Sequence, residues 1–201
     1  MSKLNLEDII QFTQLLNKFQ EVNRVIYHPG TTKLENDAEH SYQLAMTAWY
    51  LASNNFPHLN KDLVLKYALA HDLVEAYAGD TFIHSKNQAE HDSKHKREED
   101  ARIQILKEFP LFEDLHETII NYEKREDNES RFVYVLDKIH PVIQLYLDGG
   151  KMWKEREITL QMLLEKKRDK LELMPELLPI WNELEKVLDE DEDNLFFKSN
   201  S

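Results

Sequence analysis

The chain has no cysteine in its 201 residues. That removes disulfide frameworks, thiolate zinc sites, iron–sulfur clusters and cysteine nucleophiles together. Turn-formers are scarce too: four Gly and six Pro are too few for a sandwich or barrel of many strands. Basic charge is in deficit. Twenty-five Lys and Arg against 38 Asp and Glu leave a net charge of −13, which opposes non-specific binding to nucleic acid or anionic lipid, since both need a basic patch. No apolar run approaches the ~18 residues of a membrane span. The N-terminus, Met1-Ser2-Lys3-Leu4-Asn5-Leu6-Glu7-Asp8, turns acidic where a signal peptide would turn apolar. These absences predict a soluble cytoplasmic protein with neither nucleic acid nor membrane as partner.

Helical periodicity fills most of the chain. Leu6, Ile9, Ile10, Thr13, Leu16 and Phe19 fall on one helix face. The segment from Val22 to Asp37 breaks the pattern around the turn His28-Pro29-Gly30-Thr31-Thr32. A second helix is expected from about Ala38 to Ser53, with Ala45, Ala48 and Ala52 as a small-residue stripe. A third starts at Asn60 or Asp62, buries Leu63, Tyr67, Ala70 and Val74, and ends near Gly79. Asp80 to about Ser93 reads as a long polar loop. Helices follow near Lys94–Glu108 and Leu111–Tyr122, then an apolar central helix at Arg131–Leu147, interrupted at Pro141 and stopped by Gly149-Gly150. Two more, about Glu155–Leu173 and Pro175–Leu188, close the fold. The acids Asp189 to Asp193 read as a solvated, frayed end. The expectation is one all-α domain of about seven or eight helices over residues 1–188, with an acidic tail at 189–201.

Ionisable residues in apolar helical context carry the chemical information, because burying charge requires compensation. His71-Asp72 closes the run Tyr67-Ala68-Leu69-Ala70, and Glu75 follows at helical spacing from both. His40 follows Glu39 at the start of the apolar part of the second helix. Asp137 interrupts Phe132-Val133-Tyr134-Val135-Leu136. Singly, each has a plain structural role: a histidine capping carbonyls, Asp72 paired with a lysine, Asp137 paired with Lys138 or an arginine. Jointly, three helices each present a costly polar group, and one divalent ion accounts for all of them. Two imidazoles and two carboxylates suit Mn, Fe, Co, Ni or Zn, with positions left for water and substrate.

The ordered set Glu39-His40-Ser41, His71-Asp72-x-x-Glu75, Gly79-Asp80 and Leu136-Asp137-Lys138 resembles the HD-domain metal-dependent phosphohydrolase superfamily. Within it the spacing is similar to the bacterial 5′-deoxynucleotidase group. The resemblance implies an HD-type helical bundle in which His40, His71, Asp72 and Asp137 hold one divalent transition metal. It also implies that Glu75 handles the attacking water, that Asp80 contacts the nucleotide or its leaving group, and that Arg24 binds the phosphate. An arginine fork suits phosphate better than a lysine point charge, and metal-activated water makes a protein nucleophile unnecessary. The implied reaction is hydrolysis of (deoxy)nucleoside 5′-monophosphates to nucleoside and phosphate. Alternatives within the superfamily are an alarmone pyrophosphohydrolase or a nucleoside triphosphatase; a non-enzymatic metal- or nucleotide-binding domain is a third. Alarmone hydrolases carry paired acids after the His-Asp, whereas Glu75 is followed by Ala76. Val25 stands where the deoxynucleotidases carry an aromatic that excludes a ribose 2′-hydroxyl, so the sugar preference is open.

Other features read as structural. His91 and His95 have metal spacing but sit among Asp92, Lys94, Lys96 and Arg97, as in a solvated helix start. With His84 and Lys86, those cations make residues 81–97 a candidate lid. His116 and His140 read as surface or packing residues. Trp49, Trp153 and Trp181 read as core or interface anchors, the last two serving either a homodimer or the chain's own core. Ser41 and Ser85 lack a nucleophile-elbow context.

Overall fold

Eight helices of ten or more residues carry the fold in a computed structural model that describes residues 5–81 and 88–198. In chain order, α1 (Leu6–Glu21) leads into a ribbon of β1 (Asn23–Tyr27) and β2 (Leu34–Asn36). Then come α2 (Asp37–Asn54), α3 (Lys61–Ala70), the short α4 (Glu75–Ala78), α5 (Gln88–Glu108), α6 (Glu113–Lys124) and α7 (Asn128–Leu147). The C-terminal part holds α8 (Lys151–Glu155), α9 (Leu160–Leu171), α10 (Leu178–Glu190) and α11 (Glu192–Leu195). No helix among the described residues is long and apolar enough to cross a membrane.

Side-chain caps set the starts. Asn60 accepts from the backbone N–H groups of Asp62 and Leu63, so α3 begins at Lys61. Asn36 and Glu39 form a reciprocal capping box on α2, and Asp127 caps α7 through Ser130. The small stripe is fully packed: Ala48 and Ala52 are buried with Leu44 between α2 and its neighbours. Two apolar clusters result. The larger joins α2, α3 and α7 to the C-terminal helices; the smaller sits under α1, α5 and α6 around Phe19, Leu73, Val74 and Ile105.

Several local expectations change. The break at residues 22–37 is an antiparallel ribbon, pairing Asn23 with Asn36 and Tyr27 with Leu34; the β-branched and aromatic run Val25-Ile26-Tyr27 followed by Pro29-Gly30 favours it. The third helix does not run through to Gly79. At His71–Val74 the bonds tighten to three-residue spacing, as in Leu73 N–H to Ala70 C=O and Glu75 N–H to Asp72 C=O. The central helix is not interrupted: α7 continues through Pro141, because the buried face of Phe132, Val133, Leu136, Ile139 and Val142 holds it on both sides. Helix α5 starts at Gln88, inside the expected loop. Residues 82–87 of the candidate lid, with His84, Ser85 and Lys86, lie outside the described residues.

The C-terminal region differs most. In place of one helix from Glu155, α8 ends early, Glu157 takes a positive φ of 56°, and Thr159 caps α9. The acids at 189, 190, 192 and 193 are exposed as expected. Beyond them the chain is not frayed, because it has apolar residues to bury: Leu195 and Phe196 return to the core. Phe196 stacks on Trp153 at 4.3 Å, and Phe197 N–H bonds the Ile158 carbonyl at 3.1 Å. Trp153 and Trp181 are therefore buried in the chain's own core and present no face to a second copy, while Trp49 is exposed.

Candidate metal centre

The elements above bring His40, His71, Asp72 and Asp137 together, with one donor atom from each lying within 4.8 Å of the others. His40 stands on the first turns of α2 with no exposed surface. His71 and Asp72 form the tight turn that closes α3, and Asp137 projects from the middle of α7. His40 Nε2 lies 2.9 Å from Asp137 Oδ1, and His71 Nε2 lies 2.9 Å from Asp72 Oδ2 and 3.5 Å from Asp137 Oδ1.

One histidine reveals what the cluster needs. His71 Nδ1 sits 3.0 Å from the Ala68 carbonyl; a carbonyl only accepts, so Nδ1 carries hydrogen and Nε2 faces the carboxylates. That Nε2 is buried and makes no hydrogen bond. A lone pair aimed at two carboxylates requires a cation between them, either a proton or a metal ion. Without a metal, burial pulls the His71 imidazole down, but Asp72 and Asp137 outweigh it and hold it up at about 10. Asp72 is pushed up by burial, yet His71 and Arg24 hold it below the usual carboxylate range. Asp137 is likewise held low against burial by Lys138, His40 and His71. His40, buried and close to Arg24, is pushed down to about 4, which keeps its imidazole neutral and ligand-ready. This donor set fits a divalent transition metal.

Arg24 projects from β1 beside the centre. Its Nη1 lies 3.0 Å from Asp72 Oδ2 and 3.4 Å from Asp37 Oδ1, and its Nε 3.5 Å from Glu35 Oε2. Glu35 also approaches His40 Nδ1 at 3.7 Å. Both Glu35 and Asp37 are buried, and neither was among the sequence candidates. The available signal was two acids within five residues before His40 at a helix start, where solvated acids are common.

Glu75, the first residue of α4, is buried with Oε2 unpartnered and Oε1 3.9 Å from Lys94 Nζ. Burial, then Asp72, Asp80 and Asp37, push its carboxyl up. Asp37 rises to about 7 through burial and Asp72, against the pull of Arg24. Asp37, Asp72 and Glu75 form a second group able to hold a cation, with Asp72 common to both. Asp80 follows Gly79, whose φ of 73° turns the chain out of α4. Burial raises the Asp80 carboxyl as well.

These groups open on one cavity of about 590 Å³, lined by Arg24, His71, Asp72, Glu75, Asp80 and Asp137 among others. Val25 and Pro141 also line it. Arg97 ties α5 to this wall by donating to the Ala78 carbonyl and to Thr81 Oγ1. His95 lines the cavity, and the His91 side chain lies outside the described residues. His140 is no surface residue: it is buried with its ring 5.8 Å from that of His40. His116 packs against the Phe109 carbonyl at 2.8 Å.

A cavity lined by His71, Asp72, Asp137, Glu75 and Arg24, with His40 buried behind Asp137, has the equipment of a metal-dependent phosphohydrolase. The chain belongs to the HD domain family, whose model matches residues 16–178. It is 31% identical over 147 residues to the 5′-deoxynucleotidase HDDC2 of Bos taurus, covering 72% of this chain and 69% of that one. It is 28% identical over 159 residues to the 5′-deoxynucleotidase hdd1 of Schizosaccharomyces pombe, covering 75% and 77%. A solved structure from Magnetospirillum magnetotacticum MS-1, described as a predicted metal-dependent phosphohydrolase, superposes with a TM-score of 0.80 at 25% identity over 95% of both chains.

Proposed function

We propose that this chain is a 5′-deoxynucleotidase, hydrolysing (deoxy)nucleoside 5′-monophosphates to nucleoside and inorganic phosphate. His40, His71, Asp72 and Asp137 would hold one divalent transition metal, of the set Mn, Fe, Co, Ni or Zn. When bound, that ion supplies Lewis-acid polarisation of the phosphoryl group and acidifies water. The other roles fall to the chain's own groups. Glu75 takes the proton of the attacking water on Oε2, the atom that no protein group occupies. Arg24 keeps Nη2 for a phosphate oxygen: Nη1 is committed to Asp37 and Asp72, whereas Nη2 makes no hydrogen bond among the described residues. Asp80, its carboxyl raised by burial, faces the nucleotide and its departing 5′-oxygen. Aliphatic Val25 at the cavity wall leaves room beside the sugar.

The observation that carries this reading is the convergence of four donor atoms within 4.8 Å beside the buried Glu75, whose Oε2 makes no hydrogen bond. The nucleotide half rests on the two relatives named for that activity. The test is phosphate release from paired ribo- and deoxyribonucleoside 5′-monophosphates, after stripping the protein and reloading it with Mn or Co. Turnover is expected, and Asp72→Ala should abolish it. Absence of phosphate release above that control would overturn the reading.

A further inference from the structure

The cavity continues past the metal cluster to a wall made by α7 and α9, where the charge changes sign. Lys138 from α7 and Lys167 and Lys170 from α9 all line it. Lys167 is the anomaly. In α9, Leu160, Leu163 and Leu171 are the buried residues of an amphipathic stripe, and Lys167 completes it at the position where the spacing calls for another apolar residue. Its side chain is buried, and it makes neither a hydrogen bond nor an ion pair among the described residues. Its stem lies in the core while its ammonium opens on the cavity with no carboxylate bonded to it, an arrangement rarely kept for packing alone.

Its neighbours deepen the imbalance. Lys170 lies one turn further along α9. Lys138 has Asp137 as its carboxylate partner, and Asp137 is also a donor of the candidate metal cluster. The lysines repel one another: after burial, Lys138 is the next influence lowering both Lys167 and Lys170. Asp137 favours the charge on all three lysines but is shared with the candidate metal cluster, so the cations outnumber their counter-charge and the cavity is open to a further anion.

We propose that Lys138, Lys167 and Lys170 form a second anion subsite, which takes a second phosphate group of the nucleotide substrate while the first lies at the metal centre. This rests on the nucleotide reading above. A dianion answers three ammonium groups better than a hydroxyl or a base edge does. On a nucleotide, the additional anionic group is a further phosphate, carried either on the sugar as in a 3′,5′-bisphosphate or on the 5′-chain as in a diphosphate.

Calorimetric titration of the full chain, metal-stripped and Mn-loaded, tests this with dAMP, deoxyadenosine 3′,5′-bisphosphate and dADP. One of the two-phosphate ligands should bind at least ~10-fold more tightly than dAMP. Lys167→Met should bring that ratio to within about twofold. Lys170→Met, at a partly exposed position, should lower it as well and serves if the first variant does not fold. Preference for the bisphosphate places the subsite beside the sugar; preference for dADP places it along the 5′-chain. Equal affinity for all three ligands, no binding of any, or a preference that both variants retain overturns the proposal. Phosphate release from dAMP is read on the same samples. Turnover without discrimination strikes out the subsite alone. Discrimination lost in the lysine variants, without turnover of any ligand, strikes out the nucleotidase reading and keeps the subsite.

Discussion

Replacing Lys167 by Met should stabilise the protein at neutral pH, and by an amount that depends on pH. Burial, with Lys138 adding to it, pulls the Lys167 ammonium from the ordinary 10.5 down to about 7. Between those values the unfolded chain binds a proton that the folded chain does not hold, so stability rises with pH across the window. Below about 7 both states hold the proton and the full cost is present; above 10.5 neither does, and the cost vanishes. At ~1.36 kcal/mol per pH unit the window bounds that cost at about 5 kcal/mol. Water in the cavity solvates part of the charge, so a gain of about 2–4 kcal/mol at pH 7 is the expectation, in line with other replacements of buried charge by apolar residues. Methionine fills nearly the same volume and adapts to an irregular wall. Urea unfolding of the two proteins at intervals from pH 6 to 10.5 provides the assay. The two stabilities should converge toward the alkaline end, the wild type rising to meet the variant. A constant gap, or a variant less stable at pH 7, would refute the reasoning.

Three other perturbations separate the parts of the molecule. Glu75→Gln should lower kcat by about 10²–10⁴, while the single ion proposed for His40, His71, Asp72 and Asp137 is still retained after dialysis, because Glu75 is outside that four-donor group. Arg24→Ala leaves Glu35, Asp37 and Asp72 without their shared cation. It should cost about 3–5 kcal/mol in urea unfolding, and the loss should be larger at pH 8 than at pH 5, where more of the acids carry protons. Gly150→Ala forces a Cβ to within 2.0 Å of the Leu195 carbonyl oxygen at a φ of +66°; a loss of about 2–4 kcal/mol is expected, with a change in the near-ultraviolet signal of Trp153 as Phe196 lifts from it.

That His40, His71, Asp72 and Asp137 converge was legible in the sequence because charge in apolar context is expensive: Asp137 after Phe132–Leu136 and His71-Asp72 after Ala70 had to be compensated. The helices bearing them were legible through their stripes and caps. Glu35 and Asp37 were not, since they fall in a segment without helical periodicity, and their burial beside Arg24 comes from how β2 and the start of α2 pack on β1 rather than from their own neighbours. Lys167 was hidden differently. It sits within Glu165-Lys166-Lys167-Arg168-Asp169-Lys170, where local charge reads as a solvated face, and only the spacing from Leu160, Leu163 and Leu171 marks it as inward. The acidic run before Leu195 masked the return of the chain in the same way. In each case local composition reports what the neighbours are, whereas burial depends on which side the backbone turns.

The division of labour along the chain follows from the two apolar clusters. His40 and Asp137 stand on α2 and α7, long helices packed in the larger cluster, so their donor atoms are held by rotamers locked in core packing. His71 and Asp72 lie just past Ala68, the last α3 residue of that cluster, and between Ala70 and Leu73-Val74 of the smaller one. The candidate metal cluster therefore occupies the seam between two cores, and the tight turn at His71–Val74 is what lets consecutive residues face it. Glu75 and Asp80 belong to the segment beyond the seam, a four-residue helix and its Gly79 exit, tied down by α5 through Arg97. Metal retention should thus track the integrity of the larger core, and proton transfer the seating of α4 under α5. A cavity-forming change such as Ile105→Ala, at a fully buried position of the smaller cluster, falls on the second side of that division and acts on turnover before it acts on the metal.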